Sequence, residues 1–197
     1  MLTRTRKLYV VVLALLIATY AHGDAYGDGP SYDFVAVGYS QIDIDGFNDN
    51  PSGFGLQGSF SLSEDFFASL QFTSAGVTIL GTDVDLDQMD LQLGYKREVA
   101  DNTDFVVRFG WVDVSAETLG ISVDDNGFSL GVGWRSILSD GFEGGLEFQY
   151  VDLSDTGSDT ALAIYGAYQV ASTVDILGQL SIADGSNQFT IGARFNF

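Results

Sequence analysis

The sequence contains no cysteine, almost no histidine and very little positive charge. Its 197 residues include one His and eight Lys or Arg residues, against 27 Asp or Glu residues. Without Cys the chain has no disulfide, no thiolate metal ligand and no cysteine nucleophile. The formal net charge of −19 would repel nucleic-acid phosphates. These absences exclude a disulfide scaffold and a sequence-independent nucleic-acid-binding protein.

Charged residues of both signs make up only 18% of the chain, whereas hydrophobic residues reach 46% and aromatic residues 13%. A disordered acidic protein would not combine these fractions. The length allows one domain or at most two small ones, and no linker is visible. The composition therefore indicates an ordered, glycine-rich and acidic chain.

The first 23 residues have the features of an export signal. Three basic residues in the first seven positions precede a 13-residue apolar run, Leu8 to Tyr20. Ala21 and Gly23 then place small residues at the −3 and −1 positions of a cleavage site. As a helix, this run is too short to cross a hydrocarbon core of about 30 Å. We therefore predict a signal peptide at 1–23 and a single domain at 24–197.

The remaining sequence is dominated by apolar residues that recur at every second position. A period of two places such residues on one face of a β-strand, and no window after Asp24 keeps helical spacing. Connections alternate between short ones and longer ones centred on 45–51, 76–83, 116–125, 154–159 and 184–187, which suits antiparallel hairpins. The pattern predicts ten strands near 32–44, 52–62, 66–75, 84–96, 103–115, 126–138, 142–153, 160–170, 173–183 and 188–197.

The two faces of these strands distinguish a membrane barrel from a soluble one. Aromatic residues crowd the apolar face of nearly every strand, in larger numbers than a small barrel interior could hold. The polar face consists of Gly, Ser, Gln and few charges, unlike a water-exposed surface. Aromatic residues also gather near both strand ends, as they do at bilayer interfaces. We predict an all-β fold, a closed antiparallel up-and-down transmembrane β-barrel of ten strands, with eight strands as the alternative.

These features resemble the small bacterial outer-membrane barrels of the OmpA/OmpX type. The resemblance rests on the export signal, the alternating strands, the segment Val37-Gly38-Tyr39-Ser40-Gln41 and a last strand that ends in Phe195-Asn196-Phe197. It implies the outer membrane of a Gram-negative bacterium, contact with its lipid and lipopolysaccharide, and a monomer. It also implies that barrel-insertion machinery reads Phe195 and Phe197. OmpX and the OmpA membrane domain have eight strands, whereas ten strands match the omptin proteases in size.

The predicted domain lacks the groups that enzymatic barrels of this kind use. Omptin-like proteolysis needs an Asp–His pair, and lipid-modifying barrels rely on a histidine base with a serine. Removal of residues 1–23 would also remove His22, the one histidine, and with it the usual general base. Carboxylate-only hydrolysis is the remaining chemical route. We expect no enzymatic activity and no cofactor.

Three arginines fall on the polar, lumen-facing register in the periplasmic half of their strands, and acidic residues share that register. An arginine in a narrow lumen is costly unless it is paired. We therefore predict an ion-pair network that closes the lumen or merely satisfies its interior. Small residues such as Gly110, Gly131, Gly133, Gly145 and Gly192 leave space for the alternative, a narrow pore. The predicted network consists of Arg108, Arg135, Arg194, Glu143, Glu147, Asp175 and Asp90.

The longer loops are acidic. Asp83, Asp85 and Asp87 alternate and point from one face about 6.5–7 Å apart, which is too wide for one metal ion to be held by neighbours alone. These loops either bind Ca²⁺ or Mg²⁺ together with lipopolysaccharide phosphates, or form a solvated, repelling surface. The carboxylates concerned are Asp43, Asp45, Asp49, Asp83, Asp85, Asp87, Asp124 and Asp125.

Two functions follow from this sequence. The first is a non-enzymatic integral outer-membrane β-barrel with a structural or surface-interaction role and a lumen closed by Arg–carboxylate pairs. The alternative is a narrow, porin-like channel that prefers small cationic solutes.

Overall fold

A computed structural model describes residues 29–46, 49–79 and 81–197, so the predicted signal peptide at 1–23 lies outside the described residues. Within these ranges no helix is long and apolar enough to cross a membrane. The described chain forms ten strands: β1 (Phe34–Ile44), β2 (Ser52–Ser61), β3 (Phe66–Ile79), β4 (Thr82–Ala100), β5 (Thr103–Thr118), β6 (Ile121–Ser139), β7 (Phe142–Leu153), β8 (Gly157–Ala171), β9 (Val174–Ala183) and β10 (Ser186–Asn196).

The ten strands form one closed barrel. Each strand pairs antiparallel with its neighbours in sequence, and β1 pairs with β10 along its whole length, from Phe34 opposite Asn196 to Ile44 opposite Ser186. Closure leaves no unpaired sheet edge, which is a requirement for a sheet in lipid. The structure confirms the ten-stranded up-and-down barrel, and the alternative of eight strands is wrong.

Aromatic side chains on the outer face meet across neighbouring strands near both ends of the barrel. Tyr39 lies opposite Phe54 at the end that carries the longer connections. Phe66 lies opposite Tyr95 at the other end, with ring centroids 5.4 Å apart. Such exposed pairs form two rings around the barrel, which we call the outer and the periplasmic aromatic ring. Aromatic residues in two such rings are typical of the two interfaces of a bilayer.

Three of the five predicted longer loops are short turns. Thr118 lies opposite Ile121, so only Leu119 and Gly120 turn between β5 and β6. Both residues have positive φ, 50° and 78°, as a two-residue hairpin turn requires. The predicted loops at 76–83, 116–125 and 184–187 are therefore wrong in extent, because strands β3 to β6 and β10 run through most of these residues. The predicted loop at 154–159 is also too long, because β8 begins at Gly157.

The strands exchange the polarity of their two faces above the outer aromatic ring. On β4, Asp90 faces the lumen; the alternating register therefore turns Val84 and Leu86 inward and Asp83, Asp85 and Asp87 outward. The outer ends of β3 to β6 thus carry apolar residues on the inside, and those of β4 to β6 carry charge on the outside. A charged exterior belongs in water, so these ends project beyond the bilayer.

The segment before β1 folds into the periplasmic mouth of the barrel. The Tyr32 side chain is 1% exposed and packs against Phe67, with ring centroids 4.7 Å apart, beside Val106. The Asp33 carboxylate accepts a hydrogen bond from the Ser61 amide at 2.6 Å. Strand β1 begins at Phe34 rather than at Tyr32, so the first predicted strand residue is instead part of the lumen floor.

Candidate functional site

Three arginines and three carboxylates meet inside the lower half of the barrel. Alternation on five different strands turns all six side chains toward the lumen, and their ion pairs join β5, β6 and β10 to β7 and β9. We call this group the lumen plug, which consists of Arg108, Arg135, Arg194, Glu143, Glu147 and Asp175.

Glu143 lies at the centre of the lumen plug and is fully buried. Its Oε1 atom accepts hydrogen bonds from Nε and Nη2 of Arg135, at 2.9 and 2.6 Å, and from the Tyr165 hydroxyl at 3.0 Å. Its Oε2 atom accepts from Nη2 of Arg194 at 2.7 Å. One carboxylate therefore links two guanidinium groups that belong to different strands, β6 and β10.

Asp175 completes the pairing of Arg194. Its Oδ2 atom accepts hydrogen bonds from Arg194 Nε and from Asn196 Nδ2, both at 2.7 Å. The two strands concerned are adjacent, with Arg194 directly opposite Asp175 in the β9–β10 register. This pair anchors the last strand of the barrel to the lumen plug.

Arg108 and Glu147 form the layer above. Arg108 Nη1 donates to Glu147 Oε2, and Gln149 Nε2 donates to Glu147 Oε1 at 2.9 Å. The three guanidinium groups and three carboxylates of the lumen plug balance in charge. Buried charges are tolerated when they are paired and hydrogen-bonded in this way.

Four aromatic side chains pack around the arginines, and the alternation pattern did not predict them as part of the site. The Arg135 guanidinium lies 4.2 Å from the Tyr32 ring centroid, and the Arg194 guanidinium lies 5.3 Å from that of Phe34. The Arg108 guanidinium lies 5.5 Å from the ring centroid of Phe67. Arginine faces aromatic rings favourably at such distances. The fourth ring, that of Tyr165, belongs to the hydroxyl donor to Glu143.

Glycines of the lumen wall make room for these rings. A Cβ atom added to Gly94 would lie 2.1 Å from the Phe67 ring, and one added to Gly145 would lie 2.1 Å from the Tyr165 ring. Phe67 and Tyr165 stand directly opposite these two glycines in the register. An aromatic residue on the polar register opposite a glycine was the available sequence signal. The space that the sequence assigned to a pore at Gly145 is therefore filled by a side chain.

The free space in the lumen is divided by height. Beside the lumen plug a cavity of only about 50 Å³ remains, bordered by all three arginines, which is enough for a few water molecules. Toward the outside a cavity of about 260 Å³ is bordered by Asp90. Asp90 was predicted to belong to the ion-pair network, but none of the ion pairs found among the described residues involves it. Arg108 faces Gly94, four residues further along β4, or about 13 Å at strand rise.

The carboxylates at the outer end of the barrel do not converge on one position. Among residues 29–46, 49–79 and 81–197, no three Asp, Glu or His side chains lie close enough to hold one metal ion. Asp83 accepts a hydrogen bond from the Thr78 hydroxyl at 2.8 Å, and Asp124 accepts one from Ser122 at 3.2 Å. Asp43, Asp85 and Asp87 lie on the outward register of their strands, while Asp45 and Asp49 lie in the β1–β2 loop. Cation binding at these residues stays a prediction.

Asp125 differs from the other outer carboxylates because it faces inward and caps the β7–β8 loop. Its Oδ2 atom accepts hydrogen bonds from the Thr156 hydroxyl at 2.6 Å and from the Thr156 amide at 2.8 Å. The Asp155 amide adds a longer contact. These hydrogen bonds, with the Thr156 hydroxyl first, lower the pKa of Asp125 below the ordinary value of an aspartic acid.

The two residues predicted as an insertion signal, Phe195 and Phe197, lie at the end of β10. Phe195 lies on the outer face, opposite Val35, where its ring is exposed to lipid. The Phe197 amide donates a hydrogen bond to the Asp33 carbonyl at 3.0 Å. The end of β10 is therefore tied to the segment that precedes β1.

Comparison with known proteins gives one match at the level of family. A family model described as "Outer membrane protein beta-barrel domain" matches residues 10–197. No curated protein matches the sequence.

Several solved structures are similar to this chain at low sequence identity. The chain is similar to Ail, the attachment invasion locus protein of Yersinia pestis, at 15% identity and a TM-score of 0.45, over 83% of this chain and 97% of that chain. It is similar to OprG of Pseudomonas aeruginosa at 15% identity and a TM-score of 0.44, over 86% and 97%. It is similar to the KdgM porin at 10% identity and a TM-score of 0.43, over 82% and 99%. Identities this low concern the fold alone.

Proposed function

The chain belongs to the outer membrane protein beta-barrel domain family, and on this premise we propose that it is a non-enzymatic protein of the bacterial outer membrane whose lumen is closed. The observation that carries the proposal is the lumen plug. Glu143 bridges Arg135 and Arg194, and only about 50 Å³ stays free beside them. A cavity of that volume holds a few water molecules.

Displacing the lumen plug is energetically costly. Opening a path would separate Glu143 from Arg135 or Arg194, and breaking one buried pair costs about 3–5 kcal/mol. The rings of Phe67 and Tyr165 also fill the gaps left by Gly94 and Gly145. A closed lower lumen leaves the outer surface as the part of the molecule that meets other molecules, which supports a structural or surface-interaction role.

The rest of the proposal concerns export and surroundings. Residues 1–23 act as a cleaved signal peptide, and Phe195 and Phe197 guide insertion by the barrel-insertion machinery. The aromatic rings contact lipid, the acidic outer strand ends lie at the level of lipopolysaccharide, and the protein acts as a monomer like the OmpA/OmpX-type barrels that it resembles. No catalytic group and no cofactor take part.

The test is single-channel recording in a planar bilayer with the protein lacking residues 1–23. We expect no discrete current steps from the folded protein at neutral pH and moderate salt. Folding and insertion are established on the same preparation by the change in electrophoretic mobility on heating. Discrete steps from the inserted, unmodified protein would contradict the closed lumen.

The second candidate function is a narrow channel that prefers cations. The cavity of about 260 Å³ in the outer half favours it, because Asp90 and Asp159 border this cavity, whereas no Lys or Arg does among the described residues. Cation-selective steps in the same recording, measured as a shift of the reversal potential in a salt gradient, would support this function in place of the first.

A further inference from the structure

The outer half of the lumen holds a site that the lumen plug does not use. We call it the outer cup, the cavity of about 260 Å³ whose wall includes Gln71, Gln88, Gln92, Val112, Val114 and Leu153. Its floor consists of amide and hydroxyl groups, while valine and leucine side chains lie above them. Gln92 Nε2 donates a hydrogen bond to the Ser129 hydroxyl at 3.0 Å, so the floor is already ordered.

Asp90 gives the outer cup a buried negative charge. Asp90 is 9% exposed, and its Oδ2 atom accepts one hydrogen bond from Gln88 Nε2 at 2.8 Å. Among the described residues that line the cup, none is Lys or Arg, and a second carboxylate, Asp159, also borders it. A buried carboxylate is costly when no cation accompanies it. The arrangement therefore lacks the positive partner that each carboxylate of the lumen plug has.

An apolar cavity adjoins the outer cup on its outward side. It has a volume of about 310 Å³ and shares Ile42, Gln88 and Val114 with the cup, while Leu86 and Val123 extend it. These apolar residues face inward because the strands exchange polarity above the outer aromatic ring. Asp125, whose carboxylate is hydrogen-bonded by Thr156, also borders this cavity. A molecule that enters from outside thus passes a mainly apolar wall before it reaches Asp90.

The charge of the protein favours cations at this entrance. Lys and Arg are rare in the whole chain, and the outward faces of β4 to β6 carry Asp85, Asp113 and Asp124 around the mouth. A negative potential of this kind raises the local concentration of cations and excludes anions.

From the cavity, its uncompensated carboxylate and its apolar neighbour, we propose that the outer cup binds a small organic ammonium ion. The ammonium group pairs with the Asp90 carboxylate. Its hydrogen bonds to water are replaced by hydrogen bonds to the amide oxygens of the floor. A short alkyl or aryl group occupies the apolar cavity between Leu86 and Val114. This site lies above the lumen plug, so binding does not depend on whether the lower lumen is closed.

The experiment is calorimetric titration of the folded protein in micelles with n-butylammonium. We expect saturable binding at one site, and no saturable binding of butan-1-ol or butyrate, which keep the alkyl group but lack the positive charge. Asp90→Asn should weaken binding about tenfold or more, because the ion pair lies in a low-dielectric site. The matched control is Glu98→Gln at the exposed periplasmic end of the same strand, which removes one negative charge far from the outer cup and should leave the affinity unchanged.

A measurement on the unmodified protein keeps the test independent of any variant's folding. With methyl-labelled valine, n-butylammonium should give nuclear Overhauser contacts to Val112 or Val114. Absence of saturable binding, equal affinities of the Asp90→Asn and Glu98→Gln proteins, or contacts to detergent alone would each overturn the proposal.

Discussion

Glu143 is the residue on which the charge balance of the lumen plug depends, since both Arg135 and Arg194 use it as their acceptor. Glu143→Ala would leave two buried guanidinium groups short of a partner. We expect the free energy of unfolding to fall by about 3–5 kcal/mol. The measurement is urea unfolding in micelles followed by fluorescence of Trp111 and Trp134.

The control for this prediction is Glu98→Ala, at the exposed periplasmic end of β4. It removes the same side chain from a solvated position and should change the unfolding free energy by less than about 1 kcal/mol. Equal losses in the two variants would show that the position of Glu143 between two arginines has no special weight.

The glycines opposite aromatic rings give a second prediction at the scale of residues. Gly145→Ala places a methyl group where the Tyr165 ring lies, so the ring must leave its position beside Glu143. We expect a loss of about 1–3 kcal/mol in unfolding free energy. In Gly178→Ala, the matched change on β9, the new methyl group meets no atom within 4 Å and should be nearly neutral. A stable Gly145→Ala protein would contradict the assigned ring packing.

The sequence predicts which charged residues face the lumen, but not all of their partners. Arg108, Arg135 and Arg194 lie on the polar side of a regular alternation, so their direction follows from counting. Asp90 obeys the same count yet lies too far along its strand to reach an arginine. Tyr165 could not be recognised because an aromatic residue on the polar register looks like an exception until its glycine partner is known.

At the scale of elements, Asp125 joins β6 to the loop between β7 and β8 through Thr156. It lies three residues outward of Phe128 in the outer aromatic ring, and therefore in water. Its lowered pKa means that the folded state prefers the ionised form. The stabilisation is complete above the unfolded pKa of about 3.9 and is lost as the pH falls through the lower, folded value.

This dependence can be followed through the amide chemical shift of Thr156 by NMR between about pH 6 and pH 2. We expect a midpoint below about 3.9. Asp125→Asn should abolish the transition, whereas Asp124→Asn, on the outward face of the same strand, should leave it in place. A midpoint at or above the ordinary aspartic acid value would contradict the role of these hydrogen bonds.

The strands could be predicted more securely than the connections between them. Alternation located all ten strands, because half of each strand faces lipid and must be apolar. It failed at residues 116–125, where Val123 and Ala116 alternate with Ser122 and Glu117 in the opposite sense. The period of two persists there, but the apolar residues change from the outward to the inward positions once the strand leaves the bilayer. The pattern therefore predicted a polar loop.

At the scale of the whole molecule, the acidic strand ends form a surface without a complete metal site. If Ca²⁺ binds there, lipopolysaccharide phosphates must supply the missing ligands. Calorimetric titration should therefore show millimolar Ca²⁺ binding in micelles that contain lipopolysaccharide and none in micelles without it. An absence of binding in both would leave these carboxylates as a solvated, repelling surface.

The lumen plug connects the segment ahead of β1 with the last strand. Arg135 Nη2 donates a hydrogen bond to the Ser31 carbonyl, and Arg194 belongs to β10. A slip of one residue in the β1–β10 register would turn Arg194 toward lipid. Asp175 and the Oε2 atom of Glu143 would then lose their arginine partner. The network thus favours the correct strand register during assembly, because a misaligned barrel leaves buried charges unpaired. Of all the ways in which ten similar, alternating strands could close, the observed alignment is the one that pairs the three arginines with the three carboxylates of the lumen plug.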